Sequence, residues 1–265
     1  MISNSYAVMS LGQLRMHPTW RVEMQHSNTR HHLYWITRGQ GRVSVGCITR
    51  GYGPNTAIFV PAGTVMALEL PQQIQGLVLR LPPDPLIGLP DDAFHLRISN
   101  IEAQGNMTAH IERIEREVVA RAPAQDRALR AYAMLVSTLI TRELNRQEGA
   151  ILRDKTHHLV EKFAVLLAVS YHTGAGVADY ANRLGVTPTH LSRVCKDASG
   201  KPAHALIHDR LMHEARHLLA DTDLPARAIS ERLGFSSPAY FTRAFSQSAG
   251  QTPTAFRAMP RRLKA

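Results

Sequence analysis

The feature that most constrains the fold is a pattern that occurs twice in the C-terminal half, at an offset of about 50 residues. The first copy spans Arg183 to Lys196 and reads RLGVTPTHLSRVCK. The second spans Arg232 to Phe245 and reads RLGFSSPAYFTRAF. A chain that repeats a short pattern is expected to build the same supersecondary unit twice.

Each copy carries the signals of two helices joined by a tight turn. Gly185 and Gly234 follow a short amphipathic segment, and glycine ends a helix in the left-handed conformation without steric cost. Thr187 and Ser237 are typical N-caps. A proline follows each of them at the first helical position, where the missing N–H is not needed. The pattern therefore predicts two helix-turn-helix units.

The second helix of each unit has an apolar side and a polar side. Leu191 and Phe241 fall on the inner side, whereas Arg193 and Arg243 fall on the outer side. An arginine fork can pair with both major-groove acceptors of guanine. One such helix is more often an ordinary solvated face, but two copies in a basic domain favour DNA binding.

The net charge is concentrated in the same half. The whole chain carries a formal charge of +10. Residues 1–154 contain 16 Lys and Arg against 13 Asp and Glu, and residues 155–265 contain 15 against 8. The C-terminal part thus holds +7 of the surplus, which indicates an anionic partner.

One long helix is predicted from Pro202 to Ala220, between the two copies. A rigid helix would fix the separation of the two outward-facing helices. Helices about 34 Å apart enter successive major-groove segments on one face of a duplex. One chain would then contact two adjacent segments.

The N-terminal half has β periodicity and then helical periodicity. Five β-prone runs are separated by Gly, Pro and Asn turns, which predicts a sandwich or barrel; the runs are Leu33–Ile36, Arg42–Ile48, Ala57–Val60, Val65–Leu70 and Ile74–Leu81. From about Met107 to residue 147 the apolar spacing predicts a helical hairpin around Ala122-Pro123-Ala124. Its apolar stripe either caps the β-domain or forms a dimer interface, and the sequence leaves both open.

These patterns predict three regions: a β-domain over residues 1–100, the helical hairpin over 101–150 and a helical domain over 151–265. The boundary before the last region is expected near Glu148 to Lys155.

Two cysteines, Cys47 and Cys195, are too few for a disulfide framework or a self-contained zinc site. Cys47 is expected to be a small core residue.

Other function classes lack their signatures. Met1 to Gln13 shows no secretory signal, and no run of apolar residues is long enough to span a bilayer, so a cytoplasmic location is expected. There is no phosphate-binding glycine loop, Gly-x-Ser-x-Gly elbow or His-Glu-x-x-His pair. The histidines of the long helix, His204, His208, His213 and His217, are expected to be solvated.

The C-terminal half resembles the AraC/XylS transcriptional regulators. The matching residues keep the order and spacing of that family; they are Arg210, Ala215, Leu218, Leu219, Ile229, Gly234, Phe235, Tyr240, Phe241, Phe245, Gly250, Thr252, Pro253, Phe256 and Arg257. Ser230 replaces the usual alanine, a small-for-small change. The resemblance implies that the first recognition helix contacts bases through Thr189, Ser192 and Arg193. The second would do so through Ala239, Tyr240, Thr242 and Arg243.

The N-terminal strands are similar, more loosely, to the cupin-like effector domain of the same family, on the pattern of His31-His32, Arg38 to Gly41 and Phe59 to Gly63. A cupin metal site is not expected, because no carboxylate closely follows the histidines and Met66 stands where the last histidine would be. The barrel interior is instead a candidate small-molecule pocket. Its candidate lining residues are His32, Tyr34, Trp35 and Met66.

The sequence therefore predicts an α+β protein that is a sequence-specific, ligand-responsive DNA-binding regulator and not an enzyme. The expected partners are double-stranded DNA, a small-molecule effector, a second copy of the chain and RNA polymerase, with no cofactor, metal or membrane. One alternative is a metal-dependent cupin enzyme fused to a basic helical module. Another is a regulator without a ligand that is controlled by its concentration or by a protein partner.

Overall fold

The computed structural model describes residues 6–147 and 157–259, and it has the predicted α+β architecture. The N-terminal half contains two antiparallel sheets, two short helices and a helical hairpin. The strands are β1 (Ala7–Ser10), β2 (His31–Arg38), β3 (Gly41–Val45), β4 (Ile48–Tyr52), β5 (Thr56–Val60), β6 (Met66–Leu68), β7 (Gln75–Leu81) and β8 (Phe94–Arg97). The helices of this half are α1 (Leu11–Arg15), α2 (Trp20–Glu23), α3 (Ile101–Ala120) and α4 (Gln125–Arg146).

The C-terminal half is helical, as predicted. Its helices are α5 (His158–Ser170), α6 (Val177–Leu184), α7 (Pro188–Ser199), α8 (Ala203–Asp221), α9 (Ala226–Arg232), α10 (Pro238–Ala249) and α11 (Pro253–Ala258). The long helix expected from Pro202 to Ala220 is α8. None of the helices that the structure describes is long and apolar enough to cross a membrane.

The two sheets pack face to face around a shared core. The five-stranded sheet has the order β1-β7-β2-β5-β8, and the three-stranded sheet has the order β4-β3-β6. Alternate residues of the central strand β2 enter different cores. Tyr34 and Ile36 pack between the sheets, whereas Leu33 and Trp35 pack against the helical hairpin.

The strand expected from Arg42 to Ile48 ends earlier, at Val45, because the chain turns at Gly46 and Cys47. Gly46 (φ 58°) and Cys47 (φ 60°) both have positive φ angles, the geometry of a two-residue hairpin turn that matches strand twist. Val45 then pairs with Ile48, so β3 and β4 form a hairpin. Cys47 is unusual at such a position because it is not a glycine.

The helical hairpin begins earlier than its periodicity indicated. Asn100 caps α3, where its side chain accepts a hydrogen bond from the Ala103 N–H at 2.9 Å. Arg121 and Ala124 take positive φ angles in the tight connection to α4. The inner faces of both helices cover the five-stranded sheet. The boundary predicted at Glu148 to Lys155 lies outside the described residues.

The helical half contains two cores, and the N-terminal half contributes to both. The first core surrounds α5, α6 and α7 and includes Cys47, Ile48 and Val65 from the sheets. The second surrounds α8 to α11 and includes Trp20 and Met24 at its edge. The two halves are therefore packed against each other.

Candidate nucleic-acid interface

The first helix-turn-helix consists of α6, the turn Gly185 to Thr187, and α7. Gly185 has φ 69°, and its N–H donates to the carbonyl oxygens of the last turn of α6. The Thr187 hydroxyl then accepts from the His190 N–H at 3.2 Å, and Pro188 is the first residue of α7. These capping contacts are the ones that the sequence pattern predicted.

The second unit, α9 and α10, repeats this construction. Gly234 has φ 71°, and the Ser237 hydroxyl accepts from the Tyr240 N–H at 3.2 Å. Pro238 is the first residue of α10. Phe241 and Phe245 are fully buried on its inner side. Both predicted helix-turn-helix units are present.

The outer faces of α7 and α10 carry the residues predicted to contact bases. Of these, Ser192 is half-buried, and the others are exposed: Thr189, Arg193, Ala239, Tyr240, Thr242 and Arg243. The exposed fraction of Tyr240 is 53%, and its ring lies 5.8 Å from that of Phe235. The assignment of these residues to base contacts stays a prediction.

The two outward arginines differ in their surroundings. An Arg193 Nη atom lies 3.2 Å from His190 Nδ1, and another lies 3.6 Å from the Asp197 carboxylate. Both partners of this ion pair are about two-thirds exposed, and such pairs contribute little, so the Arg193 guanidinium can leave Asp197 at small cost. Arg243 has no ion pair with any residue in the described ranges 6–147 and 157–259.

The helix α8 holds the two units together. Its 19 residues span about 28 Å. Arg210, almost fully buried in this helix, bonds Glu214 at 3.0 Å and lies 3.7 Å from the ring centre of Tyr171, which belongs to both helical cores. A cation over an aromatic face is attractive and is stronger where water is excluded.

A second contact between the units involves two glycines. A Cβ atom on Gly234 would lie 2.5 Å from the Gly174 nitrogen and 2.7 Å from the His172 oxygen. The turn of the second unit is thus packed directly on the loop that precedes α6. Only glycine permits this approach, so the relative position of the two units depends on it.

The N-terminal half contacts both units. Thr49 of β4 donates to the Ser199 carbonyl at the end of α7 (3.3 Å). Arg21 of α2 forms a two-pronged ion pair with Asp221 of α8, at 2.9 and 3.0 Å. The His26 ring stacks on His213 of α8, with centroids 4.9 Å apart. The expectation that His213 is solvated is therefore wrong, because this ring is enclosed between the two halves.

The four residues predicted to line an effector pocket do not share one cavity. His32, Tyr34 and Met66 lie together between the sheets, where the Tyr34 hydroxyl donates to the Met66 sulfur at 3.5 Å. Trp35 points the other way and donates from Nε1 to Thr108 of α3 at 2.9 Å. Burial, with the nearby Arg80 charge, lowers the pKa of His32 to about 3.

Within residues 6–147 and 157–259, no group of three or more His, Cys, Asp or Glu side chains is arranged to hold a metal ion. Cys47 is fully buried, and burial raises the pKa of its thiol. It is a core residue, as expected, but the core in question is the one shared with the first helix-turn-helix.

Sequence reasoning missed a cavity of about 1,010 Å³ between the sheets and α5. Its walls come from β3, β4, two loops and one helix that are far apart in the chain. No local signal in the sequence places these segments together.

Comparison with known proteins places the helical half in a DNA-binding class. The model of a helix-turn-helix domain matches residues 180–259. The probable transcription factor PqrA of Proteus vulgaris is 34% identical over 84 residues, which are 32% of this chain and 69% of that protein. The xylose operon regulatory protein of Escherichia coli K12 is 31% identical over 84 residues, but this chain matches only 21% of its length.

The chain belongs to the AraC/XylS family of transcriptional regulators. The relatives named above are a probable transcription factor and an operon regulatory protein. Among solved structures, ToxT of Vibrio cholerae O395 aligns with 96% of this chain and 97% of its own, at 14% identity and a TM-score of 0.46.

Proposed function

We propose that this protein is a sequence-specific transcriptional regulator that binds two successive major-groove segments of double-stranded DNA with one chain. The observation that carries the proposal is the pair of capped helices α7 and α10. Each buries its apolar side in a separate core and leaves an arginine exposed on its outer side. The net charge of +7 on residues 155–265 favours a polyanionic partner.

Base contacts are assigned to Thr189, Ser192 and Arg193 on α7 and to Ala239, Tyr240, Thr242 and Arg243 on α10. Ala239 can touch a thymine methyl group but donates no hydrogen bond. Base recognition by α10 therefore rests mainly on Arg243 and on the shape of the DNA.

The helical hairpin is the proposed dimer interface. Met134 and Leu135 of α4 are 46% and 47% exposed, and Val119 of α3 is 76% exposed, although the opposite faces of both helices are buried on the sheet. The hairpin thus has an apolar surface left over after it has covered the β-domain. A homodimer would place four recognition helices on one operator.

The proposal also assigns a role to each region of the chain and a location in the cell. We assign residues 1–100 to effector binding, residues 101–150 to dimerisation and residues 151–265 to DNA binding. A regulator of this kind acts in the cytoplasm on nucleoid DNA and contacts RNA polymerase. No observation favours the alternative of a metal-dependent cupin enzyme.

The test is selection of bound sequences from a random DNA pool at near-physiological salt, with the full chain. The Arg193→Ala/Arg243→Ala double variant is processed in parallel. The proposal predicts enrichment of a motif with two segments about 10 base pairs apart, which the double variant does not enrich. Equal, unselective retention of DNA by both proteins would contradict base recognition by these helices.

A further inference from the structure

The cavity of about 1,010 Å³ lies where the N-terminal half meets the DNA-binding half. One wall consists of Val45 and Gly46 at the β3–β4 turn, Ile48, and the loop from Pro61 to Val65. The other wall is one face of α5. Its size is at the upper end of the range for small-molecule pockets.

The α5 wall is an apolar stripe whose outer residues are exposed in the described part of the chain. Ala164, Val165, Ala168 and Val169 follow the three- and four-residue spacing of one helix face. Val165 is 67% exposed and Val169 is 63% exposed, although Phe163 and Leu167 of the same helix are fully buried. Apolar surface in a concave site gains free energy when a ligand removes it from water.

The polar side chains that line the cavity are three carboxylates together with Thr64 and His158. Asp91 and Glu161 line the cavity, and no lysine or arginine is found among the described residues that line it. His158 Nδ1 lies 3.8 Å from Glu161 Oε2, and the His158 side chain is 68% exposed. Asp92 also lines the cavity and already has another partner in the protein. A negative rim stands out in a chain with a net charge of +10.

We propose that this interdomain cavity is an effector site for a small amphipathic cation, with an apolar body against α5 and an ammonium group near Asp91 and Glu161. As an effector site it rests on the proposed DNA-binding function. The other face of α5 supplies Phe163 and Leu167 to the core that also holds Leu191 and Cys195 of α7. A bound ligand would therefore contact both the sheets and α5, the helix that packs against the first recognition helix, α7.

The test compares three probes of equal chain length, octylammonium, octanol and octanoate, by calorimetric titration of the full chain. The proposal predicts that octylammonium binds about fivefold more tightly than octanol, as expected for exposed ion pairs, and that octanoate binds least. The Asp91→Asn/Glu161→Gln variant should lose the preference for octylammonium over octanol. The matched control Glu102→Gln/Glu112→Gln removes two exposed carboxylates from α3 and should keep it.

A variant that fills the cavity distinguishes binding at this site from non-specific binding. Val165→Trp adds volume at an exposed position, so the fold should persist, and it should reduce octylammonium affinity at least tenfold. Equal affinity for the three probes, tighter binding of octanoate, or undiminished binding to Val165→Trp would overturn the proposal. DNA binding measured without any probe keeps the two proposals apart. If the protein does not bind DNA, the proposed regulator function is contradicted. If it binds DNA but does not prefer octylammonium, only the proposed effector site is contradicted.

Discussion

His26 of the N-terminal half stacks on His213 of α8, with the two ring planes 17° from parallel. The His213 ring also meets Trp20 edge to face at 5.4 Å. One imidazole from each half thus lies in the same enclosed layer. Because α8 connects the two helix-turn-helix units, this layer ties the N-terminal half to the part of the protein that spaces the recognition helices.

Stability should fall in mild acid because these rings must stay neutral. Burial lowers the pKa of His26 to about 4, and burial with the neighbouring His26 and Arg210 lowers that of His213 well below its usual value. In the unfolded chain both rings take up protons below about pH 6.5. The contribution of the neutral rings to the free energy of unfolding is therefore complete above about pH 6.5 and is lost as the pH falls towards 4. Each ring lowers the free energy of unfolding by up to roughly 1.4 kcal/mol per pH unit.

Urea unfolding of the full chain at pH 7.0, 5.5 and 4.5 measures this dependence. His213→Phe keeps an aromatic ring in the layer but removes one titration, so the loss between pH 7.0 and 4.5 should be smaller than in the wild type. His204→Gln, on the exposed side of α8, is the control and should follow the wild type. The same pH dependence in all three proteins would contradict this role of the histidine layer.

Gly234→Ala should destabilise the protein more than Gly185→Ala. Both glycines have nearly the same φ, 71° and 69°, so the backbone strain of about 1 kcal/mol is common to the two variants. Only at Gly234 would the new methyl group collide with the backbone of His172 to Gly174; nothing lies within 4 Å at Gly185. We expect a total loss of about 2–4 kcal/mol for Gly234→Ala.

Unfolding free energies of the two variants, measured side by side, test this contact. Gly234→Ala should also weaken binding to a two-segment DNA site, because the units must separate to relieve the collision. Equal losses in the two variants would show that the glycine contact does not hold the units together.

The parts of the fold that sequence reasoning recovered are those with local signals. Thr187-Pro188 and Ser237-Pro238 specify a helix start by capping chemistry alone, and both helices begin there. The turn at Gly46-Cys47 was missed because a cysteine with positive φ has no sequence signature. The short helix α2 is too brief to show a period.

In the candidate sites, too, only the features that depend on local sequence signals were predictable. Positions on one face of α7 and α10 follow from helical spacing, so their exposure was predictable, except at Ser192, which is half-buried. The assignment of Trp35 to a barrel pocket depended on which face of β2 it occupies, and sequence alternation alone does not decide that. The interdomain cavity depends on contacts between α5 and segments that precede it in the chain by 65 residues or more, from Val45 to Ala93.

The two cysteines report whether the halves stay together. Cys47 and Cys195 are the only cysteines of the chain and share the core between the sheets and the first helix-turn-helix. Burial raises the pKa of Cys195 to about 12, and that of Cys47 is also raised, so neither thiol should react at pH 7.5. A maleimide or aromatic disulfide reagent should label neither in the native state and both in urea.

Ala131→Cys, on the exposed side of α4, is the positive control and should add one fast-reacting thiol. Fast labelling of the wild type without denaturant would mean that the core opens between the two halves. In that case the contacts between Thr49 and Ser199 would not persist in solution.

Single substitutions of the two arginines should weaken specific binding. Arg193→Ala and Arg243→Ala should each cost about 1–3 kcal/mol on the selected DNA site and much less on random DNA. Arg42→Ala removes the same charge from β3, at a side chain that is 69% exposed and paired with Glu69. This control should bind the selected site like the wild type. Equal losses on selected and random DNA would show that the arginines contact only phosphate.

The most direct test of the central claim is a guanine-N7 methylation interference map of the selected site. The account predicts two clusters of interfering guanines about 10 base pairs apart on one face of the duplex. Arg193→Ala should abolish interference in one cluster, and Arg243→Ala in the other. A single cluster, or a map that neither substitution changes, would contradict recognition of two major-groove segments by one chain.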